Sequence, residues 1–163
     1  MALVRHSAVA GTFYPASVRA LAAAVRRHTE AATPPDLPTP KALIVPHAGC
    51  VYSGPVAGTA YALLASHAAA ISRVVLFSPA HRMPFRGLAL SGVAGFETPL
   101  GFVATDRYAR ASVSDLPQVR EDEAPFEGEH CLKVQLPFPQ RVLTTSGSSP
   151  FSWETPPPTK WPR

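Results

Sequence analysis

Apolar positions recur at helical spacing in the first part of the chain. Between Ser17 and about Ala31, one stripe carries Leu21, Ala24, Val25 and His28. Residues spaced three and four apart lie on the same face of a helix, and a serine before the stripe is a favoured N-cap. The pattern therefore predicts a helix that begins after Ser17 and buries this stripe.

Three short apolar runs, at 42–45, 73–77 and 87–91, have a different pattern. Continuous apolar, partly β-branched runs of this length are typical of buried parallel strands. A helix is predicted between the first two runs, capped by Ser53, with Pro55 in its first turn, and ending near Ala70. Strand, helix and strand in succession predict an α/β fold with a central, mostly parallel sheet flanked by helices.

The later part of the chain has weaker periodicity. Residues 95–103 are typical of a loop or hairpin, and Asp106 is placed to cap a short helix. The acidic residues 121–123 suit the amino-terminal end of a helix. This helix is predicted to run through residues 132–136 and to end at Pro137.

The final segment, 144–163, differs in composition from the rest. Thirteen of its twenty residues are Ser, Thr or Pro, and no periodicity is visible. Such segments cannot bury enough apolar surface to offset the entropy of ordering. The sequence thus predicts a folded domain over 1–143 and a disordered tail over 144–163.

Charge and composition exclude several classes of function. The net charge of +4 is not concentrated in a Lys/Arg run interleaved with aromatics, which argues against nucleic-acid binding. No apolar stretch approaches the roughly 18 residues needed to cross a bilayer, and residues 1–6 lack a signal-peptide core. Cys50 and Cys131 form no CxxC pair, so a zinc ribbon and a disulfide scaffold are both disfavoured. A soluble, cytoplasmic protein without nucleic-acid or membrane partners is expected.

Two histidines follow predicted strands at corresponding places. His47 lies in the turn 45–49 and His81 in the turn 78–81, which are separated by one strand-helix-strand unit. Open α/β sheets bind ligands at the carboxyl ends of their strands. Imidazoles meeting there suit zinc, iron or copper, although two ligands alone are incomplete. The alternative is that both histidines form hydrogen bonds that cap their turns.

Other polar residues have two interpretations each. Glu129 and His130 could form a general acid/base pair, or else a helix first-turn charge beside a surface histidine. Cys50 and Cys131 are interpreted as small buried side chains rather than as ligands. No phosphate-binding glycine loop or nucleophile elbow is present, so nucleotide binding and hydrolysis have no motif support.

Six motifs, in order, resemble those of the Memo family, whose prokaryotic members are called AmmeMemoRadiSam system protein B. They are Ala10-Gly11-Thr12-Phe13-Tyr14-Pro15, Val45-Pro46-His47-Ala48-Gly49, Val51-Tyr52-Ser53-Gly54, Ser78-Pro79-Ala80-His81, Phe96-Glu97-Thr98-Pro99-Leu100-Gly101, and the segment from Glu129 to Phe138. The resemblance implies a fold similar to class III extradiol dioxygenases, which are non-heme iron enzymes. It also implies a redox or dioxygenase-like role for the family.

The resemblance further assigns roles to particular residues. His47 and His81 match the metal-binding histidines of the family, with Fe(II) as the expected ion and copper as the alternative. Glu129 and His130 would line the pocket, with His130 moving a proton. Gene association in the family suggests a radical SAM protein and an AMMECR1-type protein as partners.

This sequence also departs from the family pattern. The resemblance stops near Gln140, and the family's metal-binding cysteine, which neither Cys50 nor Cys131 matches, lies in a carboxyl-terminal half not found here. We therefore expect a truncated domain, a tail that is out of frame, weak metal binding, little catalysis, and a tendency to aggregate. The alternative function is a non-enzymatic scaffold that uses the vestigial pocket to dock a peptide or protein.

Overall fold

The computed structural model describes residues 3–143, which form a mixed α/β structure with two small sheets. The mixed α/β class is as the sequence predicts. The strands are β1 (Val4–Arg5), β2 (Leu88–Leu90), β3 (Gly95–Thr98), β4 (Gly101–Ala104) and β5 (Val119–Glu121). The α-helices are α1 (Val18–Glu30), α2 (Cys50–Ala62), α3 (Arg107–Val113), α4 (Cys131–Gln135) and α5 (Pro137–Val142). Short 3-10 helices occupy Ala65–Ala70 and Ala124–Phe126.

The two sheets combine parallel and antiparallel pairs. In the first sheet, β1 runs parallel to β3, and β3 is antiparallel to β4. The second sheet pairs β2 with β5 in parallel. The strand predicted at 87–91 and the hairpin predicted within 95–103 are both confirmed. Gly101 closes the hairpin at a φ of 122°, in the region that glycine adopts without strain.

The strands predicted at 42–45 and 73–77 belong to neither sheet. Both segments still alternate in burial: Val45 and Val74 pack against the core, whereas Ile44, Val75 and Phe77 are exposed. An apolar, β-branched run favours extended backbone, but a ladder also needs a neighbouring strand with which to exchange hydrogen bonds. A central parallel sheet through these segments is thus not formed by residues 3–143. The likeness to extradiol dioxygenases stays a prediction.

Helix α1 agrees with its prediction. The Ser17 hydroxyl oxygen accepts a hydrogen bond from the backbone N–H of Ala20 at 3.1 Å, and the predicted stripe of Leu21, Ala24 and Val25 is buried. Helix α1 packs against α2. The core that forms around this pair includes Val9, Tyr14, Leu21, Val25, Cys50, Ala57, Tyr61, Leu64, Phe138 and Leu143.

Helix α2 begins at Cys50, so Ser53 lies within its first turn instead of capping it. The Ser53 hydroxyl donates to the carbonyl oxygen of Ala48 at 2.7 Å, one of the carbonyls in the turn that precedes the helix. Pro55 is inside the helix rather than at its start. The helical stretch ends at Ala70 as predicted, although its last part is a 3-10 helix.

The acidic stretch 121–123 does not open the helix that runs through residues 132–136, which corrects the prediction: the 3-10 helix Ala124–Phe126 follows it, and α4 begins at Cys131. Glu121 ends β5, and the Glu123 carboxylate is bound by the Arg5 guanidinium, the Ser91 hydroxyl and the Gly92 N–H. The Glu123 side chain thus makes tertiary contacts, while the Asp122 carboxylate accepts from the first N–H of the 3-10 helix, that of Ala124.

Helix α4 ends at Gln135, with Leu136 as its C-cap, so the predicted helix does end directly before Pro137. Pro137 then starts α5, because proline at the first helical position loses no hydrogen bond. Asp106 caps α3 as predicted, accepting bonds from the N–H groups of Tyr108 and Ala109.

The tail predicted over 144–163 lies outside the described residues. Within 3–143, no helix combines the length and the apolar character that crossing a membrane requires.

Candidate metal site

His47 and His81 come together although 34 residues separate them in sequence. Their Nε2 atoms are 3.4 Å apart, and their ring centroids are 5.2 Å apart. The turns that precede α2 and follow the segment 73–77 supply the two side chains. The structure therefore places both histidines at one site without forming the strand ladder from which their proximity was predicted.

The turn that carries His47 is held by a buried glutamine. Gln135 Nε2 donates to the carbonyl oxygen of Pro46 at 2.9 Å, and its Oε1 accepts a hydrogen bond from the Tyr61 hydroxyl at 3.0 Å. The backbone N–H of Cys50 donates to the Phe13 carbonyl at 2.6 Å. Sequence reasoning missed Gln135. A polar residue among the apolar neighbours Val134 and Leu136 was the available signal.

Glu129 fixes the position of His81. Its carboxylate accepts hydrogen bonds from the backbone N–H of His81 at 2.7 Å and from His81 Nδ1 at 3.1 Å. The backbone N–H groups of His130 and Cys131 also donate to Glu129, at 2.8 and 3.0 Å. In the tautomer of the neutral ring that donates Nδ1–H to this carboxylate, the lone pair of His81 lies on Nε2, the atom that faces His47.

The Glu129 carboxyl group is only 6% exposed, yet it is held ionised. Burial opposes the charge, but the hydrogen bonds from His81, Cys131 and His130 outweigh it and lower the pKa of Glu129 to about 2. At neutral pH this carboxylate accepts hydrogen bonds and has no proton to donate. Glu129 is therefore better placed to orient His81 than to act as the general acid of an acid/base pair.

His130 lies beside the two histidines rather than on an open surface. Its ring stacks on Phe13 with centroids 4.3 Å apart and on His81 at 4.9 Å, and its Nδ1 is 3.1 Å from Glu129 Oε1. Burial lowers the pKa of His130. The Glu129 carboxylate acts to raise this pKa, whereas the charges of His81, His47 and Arg82 lower it further. A neutral imidazole in this place can accept a proton. Its assignment as the proton-moving residue stays a prediction.

Cys131 is the first residue of α4 and is fully buried, in keeping with its interpretation as a buried side chain. Its sulfur nevertheless lies within 4.8 Å of the donor nitrogens of His47 and His81. Burial raises the pKa of the thiol to about 11, although a hydrogen bond with the Ser78 side chain acts in the opposite direction. The sequence signal for this placement was its position directly after His130.

The donor atoms fit a transition-metal ion. Two nitrogens bound to one ion at about 2.1 Å with a tetrahedral angle are about 3.4 Å apart. The separation of the His47 and His81 Nε2 atoms is 3.4 Å. Glu129 groups with His81 and His130 instead of with His47, so it lies behind one ligand and does not complete a set of two histidines and a carboxylate.

Comparisons with known proteins agree with the motifs. The family model described as "Memo-like protein" matches residues 5–150. A MEMO1 family protein of Ignicoccus hospitalis is 38% identical over 154 residues, covering 88% of this chain and 54% of that protein. One from Aquifex aeolicus is 36% identical over 138 residues, covering 85% and 50%. The protein memo-1 homolog of Caenorhabditis elegans is 32% identical over 144 residues, covering 85% and 39%.

The matches differ in extent at the carboxyl-terminal end of the chain and in the share of each relative that they cover. The family model reaches ten residues beyond Gln140, where the motif resemblance stops. The chain spans about half the length of the curated prokaryotic relatives named here.

Proposed function

Since the chain belongs to the Memo-like protein family, we propose that it binds a redox-active transition-metal ion through His47 and His81. The observation that carries the proposal is the 3.4 Å separation of their Nε2 atoms, together with the Glu129 carboxylate behind His81. Metal-binding histidines typically donate their second ring N–H to a carboxylate or carbonyl, which orients the ring and makes it a better ligand. Hydrogen-bonded turn caps would not need two facing imidazole nitrogens.

Fe(II), with copper as the alternative, is the ion that the family resemblance implies. When bound, such an ion would supply redox chemistry of the dioxygenase-like kind. The chain's own residues would orient the site: Glu129 fixes His81, and Gln135 fixes the turn of His47. His130, with Nδ1 directed at Glu129, has Nε2 as the atom that would accept a proton from a substrate.

The proposal concerns the site that this chain carries. The matched relatives are about twice as long as this chain. The proposal therefore covers metal binding by the residues present here and does not extend to the activity or substrate of a family-length protein. The radical SAM and AMMECR1-type partners, and cytoplasmic location, stay predictions from the resemblance and the composition.

Metal titration of single variants tests the proposal. Metal-free protein is titrated anaerobically with Fe(II), and separately with a copper salt, while heat release is recorded. We expect one ion per chain, with affinity reduced at least about tenfold in His47→Ala and in His81→Ala. Replacing even a group that only hydrogen-bonds to a metal ligand lowers metal affinity roughly 10–100-fold. His6→Ala is the control, because this exposed histidine pairs with Glu97 away from the site. Equal binding by all four proteins would contradict the proposal.

A second candidate function is a scaffold that docks a peptide at the same pocket without using a metal. Val51 and Tyr52, on the first turn of α2 directly after the His47 turn, are more than four-fifths exposed and would supply apolar contacts. The histidine variants separate the two functions. If the wild type captures a peptide in the presence of a chelator and the histidine variants do not, the scaffold is favoured. If the wild type shows metal-dependent oxidation and the histidine variants do not, the redox protein is favoured.

A further inference from the structure

Cys131 lies against the two histidines at a place that the family resemblance does not assign to a ligand. Its sulfur and the donor nitrogens of His47 and His81 all lie within 4.8 Å of one another. We propose that Cys131 is the third protein ligand of the metal site, so that this chain supplies two imidazoles and a thiolate. This inference rests on the proposed function, because it requires His47 and His81 to be ligands.

The distances among the three donor atoms are close to those that one bound ion requires. A nitrogen and a sulfur bound to one ion at about 2.1 and 2.3 Å with a tetrahedral angle are about 3.6 Å apart. The upper limit of 4.8 Å on the present separations means that ion binding would draw the sulfur and the two nitrogens together by at most about an ångström.

Burial differs between the ligands in a way that suits a site open on one side. Cys131 is 0% exposed, whereas the His81 side chain is 41% exposed. The sulfur would lie at the base of the site and the histidines nearer solvent. Water or a substrate could then take the remaining position, as at metal sites with three protein ligands.

The backbone of Cys131 is held in place by the same carboxylate that orients His81. The Cys131 N–H donates to Glu129 Oε1 at 3.0 Å, so one carboxylate positions both His81 and the backbone of Cys131. Cys50 has no comparable place: it is buried in the α1–α2 core and belongs to neither group of metal-binding side chains among the described residues.

A sulfur ligand changes which ion the site prefers. Thiolates favour zinc and Cu(I), whereas Fe(II) oxygenase sites use a carboxylate with two histidines. On binding, the S–H bond of Cys131 breaks, a sulfur–metal bond forms, and the proton passes to solvent, with no change in oxidation state. The site would consequently favour copper, the alternative ion of the proposed function, over Fe(II), and would also bind the probe ions Zn(II) and Co(II).

Cobalt substitution tests the inference. Metal-free protein is titrated with Co(II), whose visible absorption reports coordination and whose near-ultraviolet charge-transfer band reports a thiolate ligand. We expect both signals in the wild type. Cys131→Ser should keep the visible absorption, lose the charge-transfer band, and bind Zn(II) at least about tenfold more weakly. Cys50→Ser, the same change at the other buried cysteine, should behave as the wild type does.

The outcomes separate this inference from the proposed function. If the wild type shows the visible Co(II) bands but no charge-transfer band, and His47→Ala loses the visible bands, then Cys131 is not a ligand and the two-histidine site stands. Absence of both signals from a folded wild type would overturn both. X-ray absorption on the zinc-loaded wild type gives an answer that does not depend on a variant folding: a sulfur neighbour is expected, and nitrogen and oxygen neighbours alone would refute it.

Discussion

Individual carboxylates of this chain act by accepting several hydrogen bonds at once. Glu129 accepts bonds from His81, His130 and Cys131, and so orders one side of the candidate metal site. Glu123 does the same for other segments, where Arg5, Ser91 and Gly92 donate to it. In both cases one carboxylate, buried in Glu129 and half-buried in Glu123, joins segments that are distant in sequence.

Replacing Glu123 by glutamine is expected to make the free energy of unfolding less dependent on pH in the acidic range. Burial opposes its charge, but the hydrogen bonds and charge of Arg5, with Ser91 and Gly92, lower its pKa below the ordinary 4.5. A lowered pKa stabilises the fold above the ordinary value, and this contribution is lost as pH falls through the folded-state pKa. Glu123→Gln should reduce the free energy of unfolding by about 1–3 kcal/mol at pH 7.

Urea unfolding at pH 7 and at successively lower pH measures the effect. The difference between the wild type and Glu123→Gln should narrow below about pH 4.5 as the wild-type carboxylate is protonated. Glu127→Gln, at an exposed position, is the control and should change stability little. A difference that stays constant down to strongly acidic pH would show that the charge of Glu123 is not involved.

At the scale of elements, the contact between α1 and α2 depends on small residues. A Cβ atom at Gly58 would lie 2.5 Å from the backbone oxygen of His28, and one at Gly54 would lie 2.6 Å from the His28 ring. The backbones of the two helices therefore approach at Gly58 more closely than any side chain allows. This contact seats α2, and the His47 turn that precedes it, on the core.

Gly58→Ala is expected to destabilise the protein by about 1–3 kcal/mol, because the added methyl group meets backbone that cannot move independently. Thermal unfolding followed by circular dichroism measures the loss. Thr59→Ala, one residue along on the exposed side of α2, is the control and should change stability by less than about 0.5 kcal/mol. Equal stability of Gly58→Ala and the wild type would mean that the helices are farther apart than described.

At the scale of the whole molecule, the segments 42–45 and 73–77 present one apolar side to the core and the other to solvent. Ile44 is fully exposed, and Val75 and Phe77 are 67% and 76% exposed. Neither segment exchanges ladder hydrogen bonds within residues 3–143. Exposed apolar runs with unpaired backbone are sites at which chains associate.

Replacing Ile44, Val75 and Phe77 together by threonine should reduce self-association of the purified chain, because threonine keeps β propensity while removing apolar surface. Light scattering at increasing protein concentration measures this, and we expect a lower apparent mass for the triple variant. Val45→Thr is the matched control: it faces the core, so it should lower stability without reducing association. Association unchanged by the triple substitution would contradict the prediction.

The sequence by itself determined the local elements and the residues that could carry chemistry. The cap of α1, the hairpin around Gly101, the cap of α3 and the motifs bearing His47, His81 and Glu129 all depend on neighbours a few residues away, and such preferences are encoded locally. Family membership follows from the same motifs and was confirmed by comparison.

Only the tertiary structure decided what these pieces do together. The pairing of β1 with β3 and of β2 with β5, the use of Glu123 by Arg5, and the placement of Gln135 and Cys131 beside the histidines all join residues separated by dozens of positions. Such contacts are fixed by packing and by the need to satisfy buried polar groups, which no local pattern contains. The sequence thus determined the pair of histidines, and the fold decided which groups surround them.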